Sequence, residues 1–333
     1  MDVIAREVIL ARRPANRQDF GGFEIVERAV PSVRAGHVLV ESTALSIDPS
    51  MIPRLTADTY APKFAIGDVI ESRAVGRVIE TADERLSVGD WVLHSGGWRD
   101  RAVVDAATAS LIEPTDAVPP ETWLGVLGAP GLTAFVGLAV AEFTSDDVLW
   151  VSGAAGAVGS AVVQLAKSRG AGTVIGSAGG ADKCRYLTDV VGVDAAIDYR
   201  AGDLASAVRS ATDGLDVYFD NIGGSHLEAA LATMNVGGRI VSCGMIETYG
   251  TRGPAAPRNL TEIITRRLSM TGMLVTDHLE MRAAFLAEAV PLVESGRLAS
   301  ETTRFSGLES VADGFASLLS GDGKLGKTVI DLT

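Results

Sequence analysis

Cysteine is scarce in this chain of 333 residues, and its scarcity bears on two kinds of site. Only Cys184 and Cys243 are present, both in the second half, which excludes a framework of disulfides. Zinc sites use clustered cysteine, histidine and carboxylate ligands, and before Cys184 the chain offers only His37 and His94 of the first two types. We therefore expect a protein that binds no metal.

Basic runs and long apolar runs are absent as well. The net charge is −13, and the longest basic runs are the pairs Arg12-Arg13 and Arg266-Arg267, whereas nucleic-acid binding requires a basic patch. No apolar run reaches the roughly 18 residues of a membrane span. The N-terminal residues carry charges where a secretory signal has its apolar core. We expect no nucleic-acid partner, no membrane partner and a cytoplasmic location.

The chain is long enough for two domains, and its residue pattern changes between them. Up to about residue 105, strand-like segments are separated by Pro, Gly, Asp and Ser, a pattern typical of a sandwich or small barrel. They are Glu7–Ala11, Phe23–Val30, His37–Ile47, Asp68–Glu80, Asp90–Leu93 and Trp98–Val104. From about residue 120, strands alternate with helices, which predicts an α/β, doubly wound parallel (Rossmann) sheet. Its six strands are predicted at 148–151, 173–177, 195–198, 215–219, 238–243 and 268–275.

The most informative segment runs from residue 148 to 167. An apolar strand, Val148–Val151, is followed by Gly153, Gly156 and Gly159, and then by apolar residues at helical spacing. Such a turn lets the backbone approach a pyrophosphate at the positive end of a helix. The alternative is an ordinary strand-to-helix turn. Because the turn opens a six-strand alternation, the pattern favours a dinucleotide site.

The end of the second strand of this sheet indicates which dinucleotide is bound. A site selective for NAD places an acid there to hold the ribose hydroxyls, whereas this strand tip has only small residues and is followed by Lys183. Asp182, an acid next to Lys183, argues for NAD instead. The alternative for Lys183 is an ordinary lysine that faces water. The balance favours NADPH.

The next strand ends carry three further candidates. Asn221 offers a donor and an acceptor to a ribose or nicotinamide amide, or else forms a turn before two glycines. Cys243 is expected to line the cofactor site and not to act as a nucleophile, since no histidine lies near it in sequence. Tyr249 is the chemical candidate because a phenol, with a pKa of about 10, can donate a proton to a developing enolate oxygen. Its alternative is an exposed loop tyrosine.

In its ordered motifs the chain resembles the zinc-free branch of the medium-chain dehydrogenase/reductase superfamily. The resemblance is greatest to the leukotriene B4 dehydrogenase/prostaglandin reductase and curcumin or alkenal double-bond reductase group, and it covers nearly the whole chain. The motifs that carry it are Leu45–Pro49, Pro130–Phe135, Ala154–Ser160, Gly179–Lys183, Ile197–Tyr199, Val217–Gly224, Cys243–Tyr249, Arg258–Leu260 and Gly326-Lys327.

The resemblance implies roles for individual residues. It implies cofactor contacts from Gly156, Ala157, Val158 and Gly159 at the pyrophosphate, from Lys183 and Tyr199 at the 2′-phosphate of NADPH, and from Asn221, Cys243, Gly244, Met273 and Val275 around the ribose and nicotinamide. Thr133 is implied to start the helix that faces the nicotinamide. Tyr249 matches the tyrosine at the hydride-transfer site, and Tyr60 matches an aromatic at the mouth of the substrate pocket.

Two departures from the family pattern affect these expectations. Ser50 and Ile52 stand where the family has a pocket tyrosine and an arginine, which leaves the substrate open and predicts a roomier pocket. Lys324 stands where a cofactor-binding asparagine is expected, unless the tail motif Gly321–Lys327 is shifted by one residue.

The predicted organisation is a GroES-like substrate domain (1–122 with 301–333), to which the last strand returns, and a Rossmann NADPH-binding domain (123–300). The predicted reaction is metal-free, NADPH-dependent reduction of the C=C bond of α,β-unsaturated ketones and aldehydes. The alternatives are an NADPH:quinone oxidoreductase of the same superfamily and an NADPH-binding sensor or scaffold with weak turnover. The predicted partners are a small enone, enal or quinone and a second copy of the chain in a homodimer.

Overall fold

A computed structural model describes residues 3–16, 18–249, 256–321 and 324–333. Within these ranges the strands are β1 (Ile4–Leu10), β2 (Phe23–Ala29), β3 (His37–Ser46), β4 (Ala74–Thr81), β5 (Trp91–His94), β6 (Arg101–Asp105), β7 (Ser110–Ile112), β8 (Val148–Val151), β9 (Thr173–Ala178), β10 (Ala195–Asp198), β11 (Leu215–Asp220), β12 (Met234–Ser242), β13 (Ser269–Gly272), β14 (Thr302–Ser306) and β15 (Lys327–Asp331). The α-helices are α1 (Met51–Arg54), α2 (Ala129–Val140), α3 (Ala157–Ser168), α4 (Ala181–Tyr186), α5 (Leu204–Ala211), α6 (Gly224–Thr233), α7 (Thr261–Thr265), α8 (Arg282–Glu294) and α9 (Val311–Ser320).

The chain forms two compact units. The first runs as far as Leu124 and takes in Thr302–Ser320 and Lys327–Thr333. The second consists of Gly125–Glu301 and Gly321–Gly326.

The first unit is built on a seven-stranded sheet in the order β14-β15-β3-β4-β5-β7, with β6 paired to β3 and a separate β1–β2 hairpin pair. The return of the last strand is confirmed, since β15 pairs antiparallel with β3. Aromatic rings fill part of its core: the rings of Trp98 and Phe315, both fully buried, meet edge to face at 5.9 Å, and Phe23 packs against both. The Trp98 Nε1–H donates to the Ser46 carbonyl at 2.9 Å, which satisfies the polar atom of a buried indole.

The second unit is the predicted Rossmann sheet. Six parallel strands lie in the order β10-β9-β8-β11-β12-β13, so the chain winds outward from β8 in one direction and then from β11 in the other. This is the doubly wound order, in which ligands bind at the carboxyl ends of the strands where the winding reverses, between β8 and β11. The α/β fold class is confirmed.

Two local expectations were wrong, and one strand was missed. The strand predicted at Asp68–Glu80 begins only at Ala74, because the residues before it bond instead to β1 and to the Trp98 amide, as Ile70 does. Strand β7 was not predicted. Thr133 does not start its helix: α2 begins at Ala129, and Thr133 lies in its second turn.

Candidate functional site

The glycine turn between β8 and α3 is shaped by two close approaches of backbone. Gly153 has a φ of +59°, a left-handed conformation that glycine adopts without strain. A Cβ on Gly159 would lie 2.5 Å from the Gly153 carbonyl oxygen and 2.7 Å from the Ala154 Cα. Since neither is a flexible side chain, only glycine fits at 159 without moving the turn. The helix therefore starts tight against the strand end.

Among the described residues, no side chain caps the first amide groups of helix α3. Its N-cap is Gly156, which has no side chain to accept a hydrogen bond, and a Cβ there would meet only the Gly153 oxygen, at 3.3 Å. By contrast, the start of α6 is occupied by a carboxylate of this chain, because Glu247 Oε2 accepts from the amide and hydroxyl of Ser225 at 3.2 and 3.0 Å. The start of α3 thus fits a pyrophosphate, whose charge the helix dipole favours.

The tail of the chain lies against this turn. Gly326 forms a parallel bridge with Gly156, and its amide donates to the Ala155 carbonyl at 2.8 Å. A Cβ on Gly326 would stand 1.9 Å from the Glu301 carbonyl oxygen, so this approach requires glycine. Lys324 is two residues away along the tail, while residues 322–323 of the predicted motif lie outside the described residues.

The turns after β9 and β10 meet at Gly179. A Cβ built on Gly179 would lie 2.7 Å from the Tyr199 hydroxyl, which places that phenol over the turn that leads to Lys183 in α4. Asp182, the carboxylate that argued for NAD, pairs with Arg185 one turn along the helix and is 88% exposed. No carboxylate therefore ends β9, and the 2′-phosphate expectation for Lys183 and Tyr199 has a compatible geometry.

A buried carboxylate organises the end of β11. Asp220 Oδ1 accepts from the Tyr218 hydroxyl at 2.8 Å and from the amides of Ile222 and Gly223 at 3.0 and 2.8 Å. Burial raises the pKa of Asp220, although these hydrogen bonds oppose the rise. The β11 turn is therefore pinned from inside the sheet.

Asn221 is held by the neighbouring strand end. Its Nδ2 donates to the Ser152 carbonyl at 2.8 Å, and its amide donates to the Ser152 hydroxyl at 2.9 Å. These bonds fix the side chain across the point where the winding reverses, where the amide oxygen remains a candidate acceptor for a ribose or nicotinamide.

The end of β12 carries Cys243, Gly244 and Tyr249. The amides of Cys243 and Gly244 both donate to the Asp220 carbonyl, at 2.9 and 3.1 Å. Burial, reinforced by the charge of Asp220, raises the pKa of the Cys243 thiol to about 12, so it stays protonated at neutral pH. This chemistry agrees with a lining residue and not with a nucleophile.

Tyr249 folds back over the end of the same strand. Its hydroxyl oxygen accepts a hydrogen bond from the Met245 amide at 3.3 Å, and a Cβ on Gly244 would lie 3.5 Å from it. Because the Met245 amide donates to a lone pair of the phenol oxygen, the O–H proton of Tyr249 is not used in this contact. The half-buried Tyr249 is thereby positioned by backbone and not left as an exposed loop side chain.

Helix α2 places Thr133 and approaches Met273. Gly131 and Gly137 stand where α2 is most crowded. A Cβ at these positions would clash with the Val126 carbonyl and the Phe219 ring respectively. A Cβ on Gly137 would lie 3.4 Å from the Met273 methyl, and Val275 follows two residues later. The buried Thr133 hydroxyl donates to the Ala129 carbonyl at 2.7 Å.

In the first unit, the predicted pocket residues flank α1. Ser50 directly precedes α1, and Tyr60 is 58% exposed. Sequence reasoning missed the ion pair that holds this loop: the Lys327 ammonium, only 3% exposed, donates to Asp48 Oδ1 and to the Ile47 carbonyl at 2.5 and 2.8 Å. Gly326-Lys327 and Asp48 were each part of a recognised motif, but nothing in the spacing paired them.

The structure thus brings most predicted residues of the second unit to the carboxyl ends of its parallel strands. It also adds Ser152, Asp198 and Asp220, polar residues at strand ends that sequence reasoning did not select. Among the described residues, no group of three or more His, Cys, Asp or Glu side chains is placed to hold a metal ion. No helix in the described ranges is long and apolar enough to cross a membrane.

Two family models match the chain. Residues 6–112 match the N-terminal domain of oxidoreductase, and residues 157–291 match the zinc-binding dehydrogenase model. Among curated relatives, the chain is 33% identical to the NADPH-dependent curcumin reductase of Escherichia coli K12 over 335 residues, covering 98% of this chain and 96% of the relative. It is 36% identical to a 2-alkenal reductase (NADP(+)-dependent) of Nicotiana tabacum over 299 residues, covering 88% and 86%.

A solved structure with a similar fold comes from Vibrio vulnificus. The crystal structure of CurA in complex with NADPH superimposes with a TM-score of 0.91, at 32% identity, and covers 98% of this chain and 99% of the other. The matches to curated relatives and to this structure extend through both units of the fold. The chain therefore belongs to the medium-chain dehydrogenase/reductase superfamily, within its zinc-free group of curcumin, alkenal and prostaglandin reductases.

Proposed function

We propose that this protein catalyses the NADPH-dependent reduction of the C=C bond of α,β-unsaturated ketones and aldehydes. The observation that carries the proposal is the placement of the Tyr249 hydroxyl over Gly244 at the carboxyl end of β12, held by the Met245 amide. Relatives that match 98% and 88% of the chain are named curcumin reductase and 2-alkenal reductase, and conjugated carbonyls are the chemistry that both names share.

The cofactor residues act by shape and charge. The uncapped start of α3 at Gly156, Ala157, Val158 and Gly159 binds the pyrophosphate, and Lys183 with Tyr199 binds the 2′-phosphate. The proposed set of cofactor-binding residues is completed by Asn221, Cys243, Gly244, Met273, Val275, Thr133 and Lys324. When bound, NADPH supplies the hydride that adds to the β-carbon of the conjugated carbonyl.

Tyr249 acts on the oxygen of the substrate. As the β-carbon gains its hydrogen, the electron pair of the C=C bond moves toward the carbonyl, and negative charge develops on the oxygen as an enolate. The Tyr249 hydroxyl, or a hydroxyl of the cofactor, donates a hydrogen bond to that oxygen. Water or Tyr249 then delivers the proton to the α-carbon, which completes the saturated ketone or aldehyde. The conjugated carbonyl accepts the charge, so the step requires no metal.

The first unit supplies the substrate pocket in this proposal. Ser50 and Tyr60 line it, and the Asp48–Lys327 ion pair fixes the loop from which Ser50 projects. A serine in place of the family tyrosine removes a ring and a phenol, so we expect the enzyme to accept bulkier enones. The predicted cytoplasmic location stays a prediction.

A homodimer is also part of the proposal. Strand β13 is an edge strand of the six-stranded sheet, and all four of its residues are exposed. Unpaired edges invite pairing with another strand, and a second copy offers the same edge. Sedimentation of the purified protein tests this point: a single species of twice the chain mass supports it, and a monomer at micromolar concentration contradicts it.

The experiment for the reaction measures NADPH consumption, under anaerobic conditions, with an enal, an enone and a benzoquinone, followed by identification of the products. Saturated carbonyl products support the proposal, whereas hydroquinone alone supports the quinone reductase alternative. NADPH binding without turnover on any substrate supports the sensor or scaffold.

Two variants assign the residues. Tyr249→Phe is expected to lower kcat for the enone at least about tenfold with little change in the KM for NADPH. If it keeps full turnover, Tyr249 is not the donor. Lys183→Ala is expected to raise the KM for NADPH far more than that for NADH, and equal effects would remove Lys183 from the phosphate site.

A further inference from the structure

Arg200, one residue beyond Tyr199, lies over the same glycine. A Cβ on Gly179 would be 2.8 Å from the Arg200 Nε, next to the 2.7 Å approach of the Tyr199 hydroxyl. The other end of the guanidinium reaches the tail, since a Cβ on Gly321 would be 3.6 Å from Arg200 Nη2. A cation and a phenol therefore cover the turn at the end of β9 together. We propose that Arg200 is a further 2′-phosphate-binding residue, which determines the preference for NADPH over NADH.

The backbone that carries Arg200 is fixed to the turn that leads to Lys183. Asp198 Oδ1 accepts from the Arg200 amide at 3.0 Å and from the Gly180 amide at 2.9 Å. These two bonds, together with the positive charge of Arg200, lower the pKa of Asp198, so the carboxylate stays ionised at neutral pH. The end of β10 and the start of α4 are thus joined by one carboxylate.

Two carboxylates near the turn, both among the described residues, already have partners. The Asp182 carboxylate is paired with Arg185, and Asp198 has its Oδ1 bonded to the two amides. In the proposed site, the 2′-phosphate contacts Arg200 and the Tyr199 hydroxyl over Gly179, and Lys183 follows in the helix that this turn begins.

The guanidinium of Arg200 offers a geometry of hydrogen-bond donors that the ammonium of Lys183 lacks. It is a planar fork of N–H donors that can contact two phosphate oxygens at once, whereas the lysine is a point charge. The ribose hydroxyl of NADH offers no anionic oxygen to that fork. Arg200 is therefore expected to contribute only when the 2′-phosphate is present, which makes it a specificity residue.

The inference rests on the proposed use of NADPH, and its test separates the two. Calorimetric titration of the full chain with 2′,5′-ADP and with 5′-AMP compares ligands that differ by the 2′-phosphate. The proteins are wild type, Arg200→Ala, Arg200→Lys and, as a matched control, Arg185→Ala. Arg185 is also an exposed arginine near this turn, but it is paired to Asp182.

Arg200→Ala is expected to weaken 2′,5′-ADP binding at least about tenfold, as for the loss of a charge-assisted hydrogen bond, and to leave 5′-AMP binding within about twofold. Arg200→Lys should recover part of the loss, and Arg185→Ala should change neither ligand by more than about twofold. Retained 5′-AMP binding also shows that the variant is folded.

Two results overturn the inference alone: Arg200→Ala binds 2′,5′-ADP as tightly as wild type, or it loses both ligands equally, as a structural residue would. A third result is distinct. If the wild type shows no preference for 2′,5′-ADP over 5′-AMP, the NADPH assignment itself fails, and the role of Arg200 fails with it.

Discussion

The aromatic row beneath Tyr199 leads to a prediction about acid stability. His226 is 3% exposed, its ring stacks on Trp150 at 6.1 Å, and it meets the Tyr199 ring edge to face at 5.1 Å. Neither of its ring nitrogens has a hydrogen-bond partner among the described residues. Burial lowers the pKa of His226 from 6.5 to about 4, because a charged imidazolium would lose its hydration there.

The direction in which the free energy of unfolding changes with pH follows from proton uptake. Between pH 6.5 and 4 the unfolded chain protonates this histidine and the folded chain does not, so the free energy of unfolding falls as the pH falls through that window. Between pH 7 and 5 the expected loss from His226 is about 2 kcal/mol, on 1.36 kcal/mol per pKa unit. The buried His94, whose pKa is also lowered to about 4, adds a loss of similar size.

The perturbation is His226→Phe, which keeps a ring against Trp150 and Tyr199 and gives up no side-chain hydrogen bond to a described residue. Urea unfolding of wild type and variant, followed by tryptophan fluorescence at pH 7, 6 and 5, measures the difference. The variant should lose about 2 kcal/mol less than wild type between pH 7 and 5. An identical pH dependence in the two proteins would refute the buried, neutral His226. His94→Gln, which removes the other buried histidine, should reduce the loss by a similar amount.

The remaining predictions concern the glycine turn and the thiol. Gly159→Ala should lower both the melting temperature and the NADPH affinity, because its Cβ would press on the Gly153 oxygen at 2.5 Å, at a cost of about 1–3 kcal/mol. Gly156→Ala, whose Cβ would meet only one atom at 3.3 Å, should keep the melting temperature and weaken NADPH alone; equal effects of the two variants would contradict the assigned roles. Since the pKa of Cys243 is raised to about 12, only about one thiol in 10⁴ is ionised at pH 8, so iodoacetamide should label Cys243 slowly in the folded protein and rapidly in urea. Rapid labelling of the folded protein, read by mass spectrometry, would show an accessible thiolate.

The parallel sheet was predictable because its central strands, β9, β8 and β11, are buried on both faces. All six predicted strands are present, and β8 and β10 have the predicted bounds, since a buried strand reads as a short apolar run between turn residues. Helix α2 was not predicted from its residues because nearly all of it is buried. A helix without a polar face has no amphipathic period to detect.

The site was predictable where chemistry follows a strand end, and less so where it depends on distant partners. Asn221 stands directly after an apolar strand and Tyr249 lies in the loop that follows the next one, so their residue types drew attention to them. The hydrogen bonds that Asp220 and Asp198 accept, and the pairing of Lys327 with Asp48 across 279 positions, leave no local pattern. Such contacts form only once the sheet has brought separate turns together.

Reduction of a C=C bond is tested most sharply by the destination of the cofactor's hydrogen. The enzyme is given an enone and NADPH that carries deuterium in the transferable position at C4, and the product is examined by NMR and mass spectrometry. We expect a saturated ketone with one deuterium on the β-carbon and none on the α-carbon. A product that keeps its C=C bond, or that carries the deuterium on the carbonyl carbon as an alcohol, would contradict this expectation.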